Sequence, residues 1–400
     1  MGWHKQREIE LESRGYGEPP KKNVCSRHID DHYIVKFIEE KSTKGVCDYC
    51  EKKTAIISTG ELIGFIGQAI NEKYTDPANE MYCESSLRTD IDDIIPSGYN
   101  TDYGYAAPEN KSAMEADELF EDIGLEIDSE QLYNDLLDCF NHQLWCVKDP
   151  YGMTTEEELS FMWTEFLRMV KHSRRFTFFK ASEFQLESPH PRSENGLFDI
   201  LTEIASAAHT CNLIKTIPVK TSIFRGQVHE TTEKVDTFKR IASPPDNKAS
   251  NNRMSPAGIS MFYGAFDAIT AQAEIEDADL ANTNTTVGEF VNTKELKIVN
   301  FNYLPSTSFF GTKNLETYSF LRSFAYEISR PIDPNAKERD YVPTQIITEY
   351  FRYVFRLPDG QNIHGLIYKS SKTGRDCLVL FFNEKMCPDF LKLIGHKIIR

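Results

Sequence analysis

Apolar positions recur at helical spacing through the first half of the chain, then give way to short β-like runs. Ser58 or Thr59 can cap a predicted helix whose stripe is Leu62, Phe65, Ile66, Ala69 and Ile70. A stronger helix follows Gly152. Thr154 and Glu157 carry the spacing of a capping box, and Leu159, Met162, Trp163, Phe166, Leu167 and Val170 fall on one face. Lys171-His172-Ser173-Arg174-Arg175 closes that helix with positive charge, which complements the helix dipole. Residues 51–180 therefore read as mainly helical. Residues 188–193, with Pro189 and Pro191, read as a linker, and a helix follows through Leu197, Ile200, Leu201 and Ile204. Beyond it, runs rich in β-branched and aromatic residues stand at 221–225, 259–263, 296–301, 365–369 and 377–382. Helical patterns at 267–278, 315–328 and 344–354 separate them. The expected fold class is α+β: a mainly helical N-terminal domain, then a mixed sheet flanked by helices.

Length supports that division, because 400 residues exceed what one core usually serves. The expected segments are a flexible arm at 1–20, a Cys/His segment at 21–55, a helical domain at 56–187, a linker with its helix at 188–204, and a C-terminal domain at 205–400. Charge narrows the partners. A net charge of −16 opposes nucleic acid and anionic membranes, yet leaves room for a small anion held by a few local arginines. Residues 110–139 hold ten Asp or Glu against one Lys and read as a solvated or flexible surface segment, or as a face for a basic partner. No run of about 18 uncharged apolar residues is present, and the first residues lack the apolar core of a secretory signal. The expected location is cytoplasmic.

Cys25-Ser26-Arg27-His28 and Cys47-Asp48-Tyr49-Cys50 form a C-x2-H and C-x2-C pair separated by 18 residues. Zinc favours four soft or borderline donors in a tetrahedron, and two-residue gaps let paired ligands reach one ion from a turn. Cys25, His28, Cys47 and Cys50 are thus candidate structural zinc ligands, with His32 as an alternative donor. Gly45 suits a tight turn before the second pair.

Four features of the C-terminal region form one constellation. Residues 221–226 read as a strand ending in Arg225, whose planar fork of donors can meet a pyrophosphate. Arg253 opens a Pro/Gly-rich loop that runs into a strand carrying Tyr263, a ring able to stack on a flat heterocycle. Asp267 or Thr270 then opens an alanine-rich helix bearing Glu274. Helix geometry separates Glu276 from it by about 200°, so Glu276 faces solvent. Finally, Tyr368-Lys369-Ser370-Ser371 ends one buried run ahead of a second. Taken singly, each reads as ordinary structure: a salt-bridge arginine, a core tyrosine, a hairpin serine.

Together these residues resemble the RES family, named for its Arg, Glu and Ser and known mainly as bacterial toxins. Arg225 takes the first-strand position, Arg253 opens the Arg-x-x-Pro-x-Gly loop, and Tyr263 is the strand tyrosine. Residues 270–274 match the Thr-Ala-x-x-Glu helix, and Ser370 stands two residues beyond Tyr368, with Ser371 as its alternative. Lys369 replaces the proline common there. Asp340-Tyr341 with Thr344-Gln345 resembles the helix before that strand. The resemblance spans about residues 205–395, and the first half resembles the zinc-knuckle and helical HEPN-like module found before some RES domains. Ribonucleases of that class carry Arg-x4–6-His, whereas Arg168-x3-His172 is too short.

The resemblance implies an ADP-ribosyltransferase-like fold and a toxin or defence effector that degrades NAD at its nicotinamide–ribose bond, by hydrolysis or phosphorolysis. Glu274 would stabilise positive charge on the ribose, Arg225 and Arg253 would clamp anionic groups, Tyr263 would pack on nicotinamide, and Ser370 would fix the ribose. An antitoxin or other inhibitory partner and a homo-oligomer are further implications. Transfer of ADP-ribose to a protein, or a binding module without catalysis, are the competing readings.

Overall fold

The computed structural model describes residues 14–79, 113–148, 152–177, 199–275 and 283–399. The chain forms two compact units, Met1–Gly152 with Ser306–Leu315, and Met153–Pro305 with Glu316–Arg400.

In the first unit, β1 (Asn23–Val24), β2 (Thr43–Val46) and β3 (Lys53–Ser58) form an antiparallel sheet of order β1-β3-β2. A short pair, β4 (Tyr74–Thr75) with β5 (Cys146–Val147), lies apart from it. Helices His32–Lys41, Thr59–Lys73, Ala116–Asp122 and Glu130–Phe140 enclose the core. Ser58 is the cap of Thr59–Lys73: its hydroxyl accepts from Glu61 N while the Glu61 carboxylate accepts from Ser58 N. That helix buries Leu62, Ile63, Ile66 and Ile70 against Phe120, Leu132, Leu136, Phe140 and Trp145.

Three expectations change here. The acidic stretch is folded rather than a loose surface run, because Leu119, Phe120, Leu132 and Leu136 give its two helices buried faces while their acidic residues other than Asp135 stay exposed. Of the expected flexible arm, residues 14–20 are packed: Arg14 donates to Tyr16 O and Gly17 O, and the Tyr16 ring lies 5.5 Å from that of Phe140. Residues 1–13 lie outside the described residues, as do 110–112, the linker 188–198 and Glu276. Gly45 sits in β2, where a Cβ would come within 2.2 Å of Ile56 Cδ1; the turn after Cys50 falls instead to Glu51 at φ 57.

The second unit is built on an eight-stranded mixed sheet. Its strands are β6 (Ile214–Ile217), β7 (Ser222–Glu230), β8 (Phe262–Ala265), β9 (Thr283–Asn292), β10 (Leu296–Asn300), β11 (Gly365–Lys369), β12 (Asp376–Leu380) and β13 (Leu391–Ile399). Their order is β13-β9-β7-β8-β12-β11-β10-β6, antiparallel except where β10 meets β11. Side chains alternate across the sheet, and both faces are covered. Leu366, Tyr368, Cys377, Val379 and Ala265 face one core with helices Thr155–His172, Asp199–Thr210, Ala268–Ile275, Leu315–Ser329 and Val342–Glu349. Phe262, Phe290, Ile367 and Leu378 face the other. The Thr154–Glu157 capping box forms as read, and Trp163 packs edge-on to Phe324, centroids 5.1 Å apart.

Candidate active site

The site begins where two neighbouring strands part. β7 and β8 pair at Phe224 and Ala265, and Arg225 follows at the parting. Arg225 does not end its strand, as the sequence implied, since β7 continues to Glu230 against β9. Gly226 and Phe224 face the helix Ala268–Ile275, and Gly226 has to be small: a Cβ would lie 2.7 Å from Ala271 O and 2.3 Å from Ile275 Cδ1. This close approach seats the last turn of the helix, with Glu274, on the sheet.

Arg225, between those two positions, points to the opposite face and fills the split. Its Nη1 donates to Tyr263 O at 2.7 Å and its Nε to Ile241 O at 2.9 Å, with the guanidinium carbon 5.4 Å from the Phe262 ring centroid. Among the described residues no carboxylate lies within ion-pair distance of it. Burial lowers its pKa, yet a guanidinium stays charged at ordinary pH.

Glu274 and Ser370 meet directly. Asp267 caps the glutamate's helix by accepting from Thr270 N and Oγ1, both at 2.8 Å. Ser370, 3% exposed, opens the turn between β11 and β12. Its Oγ accepts N–H groups from Lys372 at 3.2 Å and Thr373 at 3.1 Å. A hydroxyl has one proton, and Ser370 gives it to Glu274 Oε1 at 2.5 Å. The contact belongs to Ser370; Ser371 is exposed.

Two tyrosines join these pairs. The Tyr263 hydroxyl lies 2.8 Å from Ser255 Oγ; burial pushes its phenol up, and the charge of Arg225 opposes that rise. Burial also pushes the Tyr368 phenol up, followed by the fields of Cys377, Glu274 and Tyr263, against Arg253. Sequence reasoning used Tyr368 only as a landmark for the serine. Its place in the site follows from register: Tyr368 pairs with Cys377, which pairs with Ala265. An almost wholly buried strand gives no alternation from which to read that face.

Arg253 is engaged on its far side. Nη1 donates to Ile328 O at 2.6 Å and Nη2 to Arg330 O at 2.8 Å, so its fork caps the C-terminal end of Leu315–Ser329. Its own carbonyl accepts from Thr344 Oγ1 at 2.5 Å, while Gln345 Nε2 donates to Asn251 Oδ1 and Asn252 O. Thr344 and Gln345 thus hold the loop that carries Ser255 under Tyr263. The structure therefore joins Glu274 to Ser370 and Arg225 to Tyr263 by hydrogen bonds. Tyr368 and Arg253 share the electrostatic surroundings of Glu274.

In the first unit, the candidate ligand atoms of Cys25, His28, Cys47 and Cys50 all lie within 4.8 Å of one another. Cys25 Sγ is 3.8 Å from Cys50 Sγ, and Cys47 Sγ is 3.5 Å from His28 Nε2. With bonds of about 2.3 Å to sulfur and about 2.0–2.1 Å to nitrogen, a tetrahedral ion has edges close to both lengths. The donor set fits such an ion. His32 is not part of it; it opens the next helix, its ring 4.4 Å from that of Tyr33.

Residues 40–184 match the family model of the HEPN/RES N-terminal domain 1, and residues 228–394 match that of the RES domain. Arg253, Tyr263, Glu274 and Ser370 fall inside the second match, and Arg225 lies just before it. No curated protein and no solved structure matches the chain. A RES domain is consistent with an enzyme that acts on NAD. This chain carries a HEPN/RES N-terminal domain 1 followed by a RES domain.

Proposed function

We propose that the RES domain degrades NAD by cleaving the bond between nicotinamide and ribose. One observation carries the reading: a half-buried carboxylate, Glu274, receives the only proton of a serine whose lone pairs are already occupied by two backbone N–H groups. In the reaction, the C1′–N electron pair leaves with nicotinamide and neutralises its pyridinium. Positive charge then develops on the ribose. An ionised carboxylate beside that carbon stabilises the transition state more than the ground state, which raises rate rather than affinity alone. The oxygen of water or of phosphate then bonds to C1′, with loss of one proton when the nucleophile is water. Arg253 supplies positive charge for the phosphates, Arg225 holds the Tyr263 strand from the other face of the sheet through Tyr263 O, and Tyr263 with Tyr368 forms an aromatic wall for the nicotinamide.

The four-donor cluster of the first unit holds a structural zinc ion in this reading, with all positions filled by protein. As a toxin or defence effector, the protein requires restraint by an antitoxin or by its own assembly. Among the described residues no helix is long and apolar enough to cross a membrane.

Chromatography of NAD incubated with purified protein, with and without phosphate, tests the reading. Free nicotinamide with ADP-ribose marks hydrolysis, and phosphate-dependent ADP-ribose phosphate marks phosphorolysis. Intact NAD under both conditions rejects the proposal, and nicotinamide release that needs an added protein acceptor moves it to ADP-ribosyl transfer. Ser370→Ala orphans two N–H groups and frees the carboxylate to rotate; turnover is expected to fall by about 10- to 100-fold, ~1.4–2.7 kcal/mol. Unchanged turnover would remove Ser370 from the site.

A further inference from the structure

Arg253 also lines a pocket that none of Arg225, Tyr263, Glu274 and Ser370 touches. Its volume is about 310 Å³. Helix Thr155–His172 supplies one side through Trp163, Leu167 and Lys171, and the end of Leu315–Ser329 with the following turn supplies another through Tyr326 and Ile332. Resting on the NAD reading above, we infer that this pocket receives the adenosine end of the dinucleotide, leaving the nicotinamide end to Glu274.

Size supports a subsite rather than a complete site. Small-ligand pockets run from about 300 to 1,000 Å³, so this one takes a nucleoside and not a whole dinucleotide. Its chemistry fits a purine with its ribose. Leu167, Ile332 and Pro343 present apolar surface to a flat ring, and Tyr326, 70% exposed at the rim, is free to stack on it. Trp163 is 5% exposed, and its Nε1–H is buried with no partner among the described residues. An acceptor atom on a bound ring would relieve that orphan donor. Glu327 and Asp333 can accept from ribose hydroxyls or an exocyclic amine. Lys171, which pairs with Asp340 at 3.4 Å, and Arg253 bring positive charge for the phosphates.

Continuity along the chain links pocket and site. Arg253 bonds Ile328 O and Arg330 O at the pocket wall, and two residues later Ser255 meets the Tyr263 hydroxyl. A dinucleotide lying along this loop would set its phosphates near Arg253. Trp163 and its helix lie within the span matched by the N-terminal family model, so part of the substrate site would come from that module.

The test uses full-length protein, AMP as the probe, and two variants on partly open positions, Ile332→Trp to fill the pocket and Tyr326→Ala to remove the stacking ring. AMP is expected to bind the wild type in titration calorimetry and to compete with NAD. Both variants, with melting temperatures like the wild type, are expected to weaken AMP and raise the KM for NAD at least fivefold, with kcat within twofold. AMP that does not bind the wild type, or binds either variant equally well, overturns the subsite. So does a variant that loses kcat with KM unchanged. NAD turnover with unchanged KM in the variants rejects the subsite alone, whereas a wild type that binds AMP and leaves NAD intact rejects the Glu274 chemistry alone.

Discussion

Glu274→Gln is expected to cut NAD turnover by about three orders of magnitude while NAD affinity stays within a few fold. The replacement is close to isosteric, and the amide carbonyl of glutamine can still accept the Ser370 proton, so the turn between β11 and β12 keeps its shape. Only the negative charge is lost. That charge acts when the ribose becomes electron-deficient, so the loss falls on kcat, about 4 kcal/mol at ~1.4 kcal/mol per tenfold. The neutral side chain also leaves Cys377 and Tyr368, whose protons Glu274 helps to retain, without that neighbouring charge. Single-turnover NAD loss together with equilibrium NAD binding checks the split. A variant that turns over normally would show that the carboxylate has no part in the chemistry.

The second large effect lies in the other unit. Cys47→Ser replaces a fully buried thiol with a poorer zinc ligand, next to a helix held through Tyr49, Lys22 and Asp135. The Tyr49 hydroxyl and Lys22 Nζ both donate to Asp135 Oδ2 at 2.6 Å, which ties the cluster to helix Glu130–Phe140. Because a structural ion's binding energy is folding energy, losing one ligand is expected to cost about 3 kcal/mol or more. In a unit of this size that lowers the melting temperature by about 6–12 °C. Metal content by mass spectrometry should fall from one equivalent of zinc to under about half. Wild-type protein purified without chelators and free of zinc would reject the metal assignment.

How far these features could be read from the sequence depends on which physical signal carries each. The helix at Thr155–His172 announces itself because cap, apolar face and terminal charge agree. Arg225, Tyr263, Glu274 and Ser370 stand out through their resemblance to the RES family, and the fold then supplies the contact between Glu274 and Ser370. Three strands of the large sheet escaped pattern reading: the short β6, β9 and β13. β9 begins Thr-Asn-Thr-Thr and buries Thr286 through a hydrogen bond to His229, 2.9 Å from Nε2, so polar residues occupy positions where apolar alternation is sought. β13 is an edge strand, largely exposed, with Lys392, His396 and Lys397 among its isoleucines. The β-like run reads as ending at Arg225, whereas the strand continues through Gly226 to Glu230. That glycine makes room for Ala271 and Ile275. The acidic stretch shows the reverse error, since charge density hid two amphipathic helices.

A crystal structure of the Glu274→Gln variant soaked with NAD would examine the geometry without turnover. The expected electron density puts the nicotinamide ribose carbon about 3–4 Å from the side chain of residue 274, with the ring beside Tyr263 and the phosphates toward Arg253. Dinucleotide bound elsewhere, or lying there with its nicotinamide end directed away from Gln-substituted position 274, would contradict the assignment of that carboxylate to bond cleavage.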